Sequence, residues 1–181
     1  MRLQSLNHLL EVIVAVARPE SVCIIGSSSL LPAHPELGDT NCPLELTTDA
    51  DFLLEPINEG IAESLQLAVG EDSAFMAKFG YYADILGPAM RETLPAGWES
   101  RLYPVAGHTN VFALNIYDLA LVKLMVGREK DLNLLRALFR LGLIDVAWLR
   151  EHYQSCPLGE QEAMTAGRNL TMLLRELGGE P

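Results

Sequence analysis

The chain has 181 residues, with 24 acidic against 13 basic side chains and a formal charge of -11. Its apolar share of 49% supports a sizeable core, and a mean hydropathy of +0.17 excludes global disorder. So acidic a chain is a poor general nucleic-acid binder, because phosphate contacts need clustered Lys and Arg. No apolar run reaches the roughly 20 residues of a membrane span, so no membrane partner is expected. Residues 1–18 are apolar at helical spacing, contain Glu11 and lack a basic leader with a cleavage site, so no signal peptide is expected. Cys23, Cys42 and Cys156 are far apart and odd in number, which fits a reducing cytoplasm and neither a disulfide framework nor a zinc site.

In chain order, residues 3–17 read as an amphipathic helix ended by Pro19. Residues 22–25 are a short buried strand, and 27–31 open a brief helix. A loop rich in Pro, Gly, Asp and Asn covers 32–43. A strand is expected over 44–54, closed by Pro56, then helices over 58–68 and 72–79 and a strand over 81–86. Residues 87–100 form a loop. Residues 101–105 and 111–115 pair as a hairpin around "AGHTN". From there the pattern is helical: 117–126, 129–141, 146–152 and 160–177, with Gly142 as a C-cap. The expectation is an α+β fold, with a small mixed sheet flanked by helices over residues 1–115 and a helical bundle packed on it over 116–181.

Four places could carry chemistry. In "VCIIGSSSLL", Gly26 follows a strand and precedes three serines, a turn that lets a ligand approach the backbone and offers donors to anions. The stretch lacks the lysine of a P-loop, the spaced glycines of a dinucleotide fingerprint and the second glycine of a nucleophile elbow. The alternative is an ordinary strand-to-helix turn with Ser as N-cap. In "TTDADFLL", Asp49 and Asp51 share one strand face, about 6–7 Å apart along it. They are either a site for Mg²⁺, which takes hard oxygen ligands, or a solvated edge strand. Asp84, in "YYADIL", is either a third carboxylate for a metal or a base, or a strand-end cap toward Gly87. In "YDLALVKLMVGREKDL", Lys123 sits inside an apolar helix, snorkelling to the surface or aimed into a cleft.

Together, Ile25–Gly26–Ser27, the pair Asp49–Ala50–Asp51 and the later Asp84 resemble the nucleotidyltransferase superfamily. The stretches "LPAGWESRL", "YDLALVKLMVGREKDL" and "LFRLGLID" are similar to an uncharacterised bacterial branch related to AbiEii-type toxin and antiphage nucleotidyltransferases. The resemblance implies that Gly26 and Ser27 hold a triphosphate, and that Asp49, Asp51 and Asp84 bind Mg²⁺ or Mn²⁺. It also implies that Lys123 and Arg128 contact phosphate, while Asp131 orients one of these two bases. The implied substrate is an NTP, and the acceptor is open between tRNA, another protein and a small molecule. The resemblance leaves open an antitoxin partner, a homo-oligomer, or a protein that kept the fold and lost the chemistry. The gap of 49 − 26 = 23 positions between glycine and first aspartate raises one structural question: whether the inserted loop parts the glycine turn from the carboxylates.

Overall fold

The computed structural model describes residues 1–153 and 159–176. Cys156 and the expected helix end at Leu177 lie outside them. The chain divides into two compact units, one of Met1–Met90 with Arg101–Asn115, the other of Arg91–Ser100 with the residues from Ile116 on.

The first unit is built on a five-stranded mixed sheet. Its strands are β1 (Ser21–Ile25), β2 (Asp49–Glu55), β3 (Tyr82–Ile85), β4 (Tyr103–Pro104) and β5 (Val111–Ala113), in the order β3-β2-β1-β5-β4. β1 runs antiparallel to β2 and parallel to β5, and β2 runs parallel to β3. β1 is central, and Val22, Cys23, Ile24 and Ile25 are all buried, so both its faces are covered and it reads as an uninterrupted apolar run. The start of β2 and the neighbouring β3 alternate instead. Ala50, Phe52 and Ala83 are buried, while Asp49 and Asp51 are half-buried and Asp84 is exposed. One face of β2 and β3 therefore belongs to the core and the other carries the acids.

Three helices complete this unit: α1 (Leu3–Ala17), α2 (Glu59–Val69) and α3 (Ala74–Phe79). α1 buries Leu6, Leu9, Leu10 and Ile13 along one stripe. It ends on Arg18 in the left-handed conformation, just before Pro19. Asn58 and Ser73 cap α2 and α3, accepting the Ile61 and Met76 backbone N–H at 3.0 and 3.1 Å. The expected strand over 44–54 is shorter than the sequence suggests. Residues 44–48 make a turn in which the Leu44 N–H donates to the Leu37 carbonyl and Thr47 N–H to Leu44, and Leu44 is buried as a plug. The loop at 32–43 also contains a single 3₁₀ turn, Pro35–Gly38.

The second unit holds α4 (Ile116–Val126), α5 (Glu129–Arg140), α6 (Val146–His152) and α7 (Glu160–Glu176). The expected plain loop over 87–100 instead contains the 3₁₀ turn Pro88–Thr93 and most of a second, Trp98–Arg101. α4 is packed by α5, α6 and α7, which is why it is apolar nearly all round.

Candidate active site

The glycine turn and the carboxylates meet. Gly26 caps the 3₁₀ turn Ser27–Leu30 at φ 67° and ψ -168°, a region that only glycine adopts without strain. A Cβ built on it would lie 1.9 Å from Oδ2 of Asp51. The reason is the register: Ile25, the last residue of β1, pairs with Asp51 on β2, so the chain must turn directly beside that carboxylate. The inserted loop leaves this contact intact. No side chain caps the 3₁₀ turn; Ser29 Oγ donates back to the Gly26 carbonyl at 2.8 Å. The expected alternative of Ser as N-cap is therefore replaced by Gly26 itself in that place.

Strand pairing gathers the acids. Asp51 pairs with Asp84 and Asp49 with Tyr82 in parallel register, so all four side chains share one face, on strands about 4.8 Å apart. β2 lies between β1 and β3, which removes the edge-strand alternative for the D-x-D pair. Asp84 stands exposed within β3. Among the described residues, no group of three or more His, Cys, Asp or Glu side chains is arranged to hold a metal ion. The three carboxylates share a face without closing into a cluster.

Tyr82 and Glu71 were not singled out from the sequence. Burial, and after it the negative field of Asp49, Glu71, Asp84 and Asp51, pushes the Tyr82 phenol up from its ordinary range. Its signal was legible, since Tyr82 stands two residues before Asp84 on a strand. Ser28 follows the glycine turn, and its buried Oγ has no hydrogen-bond partner among the described residues, a cost of about 1–3 kcal/mol for a hydroxyl. A groove of about 720 Å³ in the same unit is lined by His8, Glu11, Phe79 and Tyr81 among others, and none of the acids on the sheet face lines it.

In the second unit, Asp131 binds both bases that the resemblance names. Lys123 Nζ donates to its Oδ1 at 2.8 Å and Arg128 Nε to its Oδ2 at 2.9 Å. The Arg128 backbone N–H adds a third bond at 3.3 Å, so Asp131 also caps α5 from its third position. The Asp131 side chain is 1% exposed, that of Lys123 9% and that of Arg128 58%. Burial pushes the Asp131 carboxyl up, but hydrogen bonds and charge from Arg128 and Lys123 outweigh it and hold the group below the ordinary carboxylate range. Lys123 thus neither snorkels nor stands unpaired: it forms a buried ion pair. Two further polar groups are buried here. Asp118 is fully enclosed in α4, and Asn169 of α7 donates to the Leu124 carbonyl at 2.9 Å. Gly127, at φ 62°, leaves room for Asn169, whose Nδ2 a Cβ would approach to 2.2 Å.

Residues 1–166 match the family model described as "Nucleotidyltransferase of unknown function (DUF6036)". The chain belongs to this family. No curated protein and no solved structure matches it. Among the described residues, no helix is long and apolar enough to cross a membrane.

Proposed function

We propose that the chain transfers a nucleoside monophosphate from an NTP to an acceptor hydroxyl with the aid of Mg²⁺ or Mn²⁺. The observation that carries this reading is the packing of the Gly26 turn on Asp51, with Asp84 in register beside it. The donor chemistry suits a hard divalent cation: three carboxylates on one face, the middle one packed directly against the Gly26 turn. Asp49, Asp51 and Asp84 would hold the cation, which supplies charge stabilisation to the attacking and leaving oxygens. Gly26 and Ser27 would present N–H and hydroxyl donors to the phosphates, and the lack of a side chain at Gly26 lets this turn pack against Asp51. The acceptor oxygen bonds to the α-phosphorus, the α–β anhydride bond breaks, and pyrophosphate leaves. Asp84, the most exposed of the three acids, would take the acceptor proton.

Because the carboxylates among the described residues do not close into a metal cluster on their own, Asp49, Asp51 and Asp84 would hold the cation together with the triphosphate rather than alone. The same observation favours a second reading, a nucleotidyltransferase fold that binds or regulates without catalysis. Incubation with each labelled NTP and Mg²⁺ separates the two. Pyrophosphate release or label transfer that vanishes in Asp49→Asn and Asp51→Asn supports the enzyme; no turnover with any NTP supports the binding protein.

The resemblance of "KLMVGREKD" to AbiEii-type enzymes gives Lys123 and Arg128 a phosphate-contacting role, with Asp131 orienting both. An unchanged KM for NTP in Lys123→Met would remove Lys123 from that role. The same resemblance supports a toxin or antiphage role inside a bacterial cytoplasm. Growth arrest on induced expression, lost in Asp51→Asn, is the expected result; equal growth of both strains would argue against toxicity.

A further inference from the structure

The carboxylate face carries a hydroxyl of its own. Tyr82 pairs in register with Asp49, and Asp84 follows two residues later on the same strand and the same face. Tyr82 is half-buried, so its ring is partly accessible, and its hydroxyl makes no hydrogen bond to a described residue. The other tyrosines have different settings. Tyr81 is hydrogen-bonded to His8 at 2.9 Å, and Tyr117 packs on Trp148 in the second unit. Tyr103 lies on β4, separated from β2 by β5 and β1. A phenol is longer than an aspartate side chain, so on a shared sheet face it can reach past the carboxylates toward a triphosphate held by them.

We infer that Tyr82 is an acceptor for the chain's own transfer reaction, so that its phenolic oxygen becomes linked to a nucleoside monophosphate. This rests on the proposed function and names one acceptor for it. In the step, the Tyr82 oxygen forms a bond to the α-phosphorus of a bound NTP. The bond from that phosphorus to the bridging oxygen breaks, its electron pair leaves with pyrophosphate, and the phenolic proton passes to the Asp84 carboxylate. The product is a phosphodiester that brings one more negative charge to a face already holding three acids, and its nucleoside fills the space the next NTP needs. Self-modification therefore closes the site after one turnover.

The test uses the purified full chain with ATP, GTP, CTP or UTP and Mg²⁺ or Mn²⁺. Intact mass, peptide mapping and pyrophosphate release are read together, alongside the melting temperature with metal plus NTP. The expected result is a mass increase of one nucleoside monophosphate, mapped to the peptide holding Tyr82. It should be lost in Tyr82→Phe, which keeps the ring, and also lost in Asp51→Asn, which keeps the tyrosine. Pyrophosphate release or metal-dependent stabilisation by NTP with no label on Tyr82 overturns the inference and leaves the enzyme reading standing. Label on Tyr103, 43% exposed, or undiminished label in a cooperatively melting Tyr82→Phe, also overturns it. If no NTP gives release, label or stabilisation, the enzyme reading fails and the inference falls with it.

Discussion

On the sheet face Asp49, Asp51 and Asp84 stand beside one another, whereas in the helical unit Asp131 stands between Lys123 and Arg128. Like charges on neighbouring strands repel one another, so the first arrangement gathers charge of one sign on one face. The second works for folding: the Asp131 carboxylate satisfies a buried ammonium, an arginine and a helix terminus at once. The contrast separates acids that a fold tolerates from an acid on which a fold depends, and each can be perturbed alone.

The largest effect is expected at Asp131. Replacing it with Asn removes the counter-charge of Lys123, which is 9% exposed. Breaking a buried pair from one side costs about 3–5 kcal/mol, so the urea midpoint should fall steeply. A loss near that of a surface substitution would mean that Lys123 finds another partner and that the pair is not a keystone.

Next in size is the linkage of metal and nucleotide. Mg²⁺ alone should stabilise little, because it keeps its waters and the acids are not clustered. NTP alone meets an acidic face. Together, at ligand near 100 times Kd, they should add about 2.7 kcal/mol. That is a Tm rise of roughly 2–4 °C for each kcal/mol at this chain length. The synergy should disappear in Asp51→Asn. A melting curve insensitive to millimolar Mg²⁺ with every NTP would remove the functional half of the comparison.

Gly26→Ala tests the contact between turn and carboxylate. Its backbone conformation disfavours any side chain, and the new methyl would collide with Asp51. A cost of about 1–3 kcal/mol is expected, with nucleotide-dependent stabilisation lost as well. Retained stabilisation would show that the turn can move without harm to the site.

The smallest effect is expected from Asp49→Asn without metal. It removes a charge that repels Asp51 and Asp84, so unfolding free energy should stay within about 0.5 kcal/mol or rise slightly. A loss as large as that of Asp131→Asn would make Asp49 structural. Acid titration sharpens the same contrast. The folded pKa of Asp131 is lowered, so its contribution is present above the ordinary aspartate value of about 3.9. It is lost as pH falls below that value through the lowered folded one. The stability difference between the chain and Asp131→Asn should therefore be flat near neutrality and shrink only in that acid range.

Local pattern alone determined much of this protein. Helical periodicity placed α1 at its observed bounds. Alternation put Asp49 and Asp51 on one face and Ala50 and Phe52 on the other, because side chains on a strand repeat every two residues whatever surrounds them. The start of β2 was misread because Leu44 and Leu46 extend its apolar pattern, yet Leu44 is buried in a turn and Leu46 is 89% exposed. Pairing was beyond the sequence. Only the order β3-β2-β1 sets Asp84 beside Asp51 and brings the Gly26 turn against the Asp51 carboxylate, 51 − 26 = 25 positions along the chain. Register is a contact between distant segments, and no local propensity encodes it. The fate of Lys123 was decided in the same way. An ammonium in an apolar helix can snorkel or pair, and only the turn at Gly127, which returns α5 to α4, brings Asp131 within 2.8 Å of it.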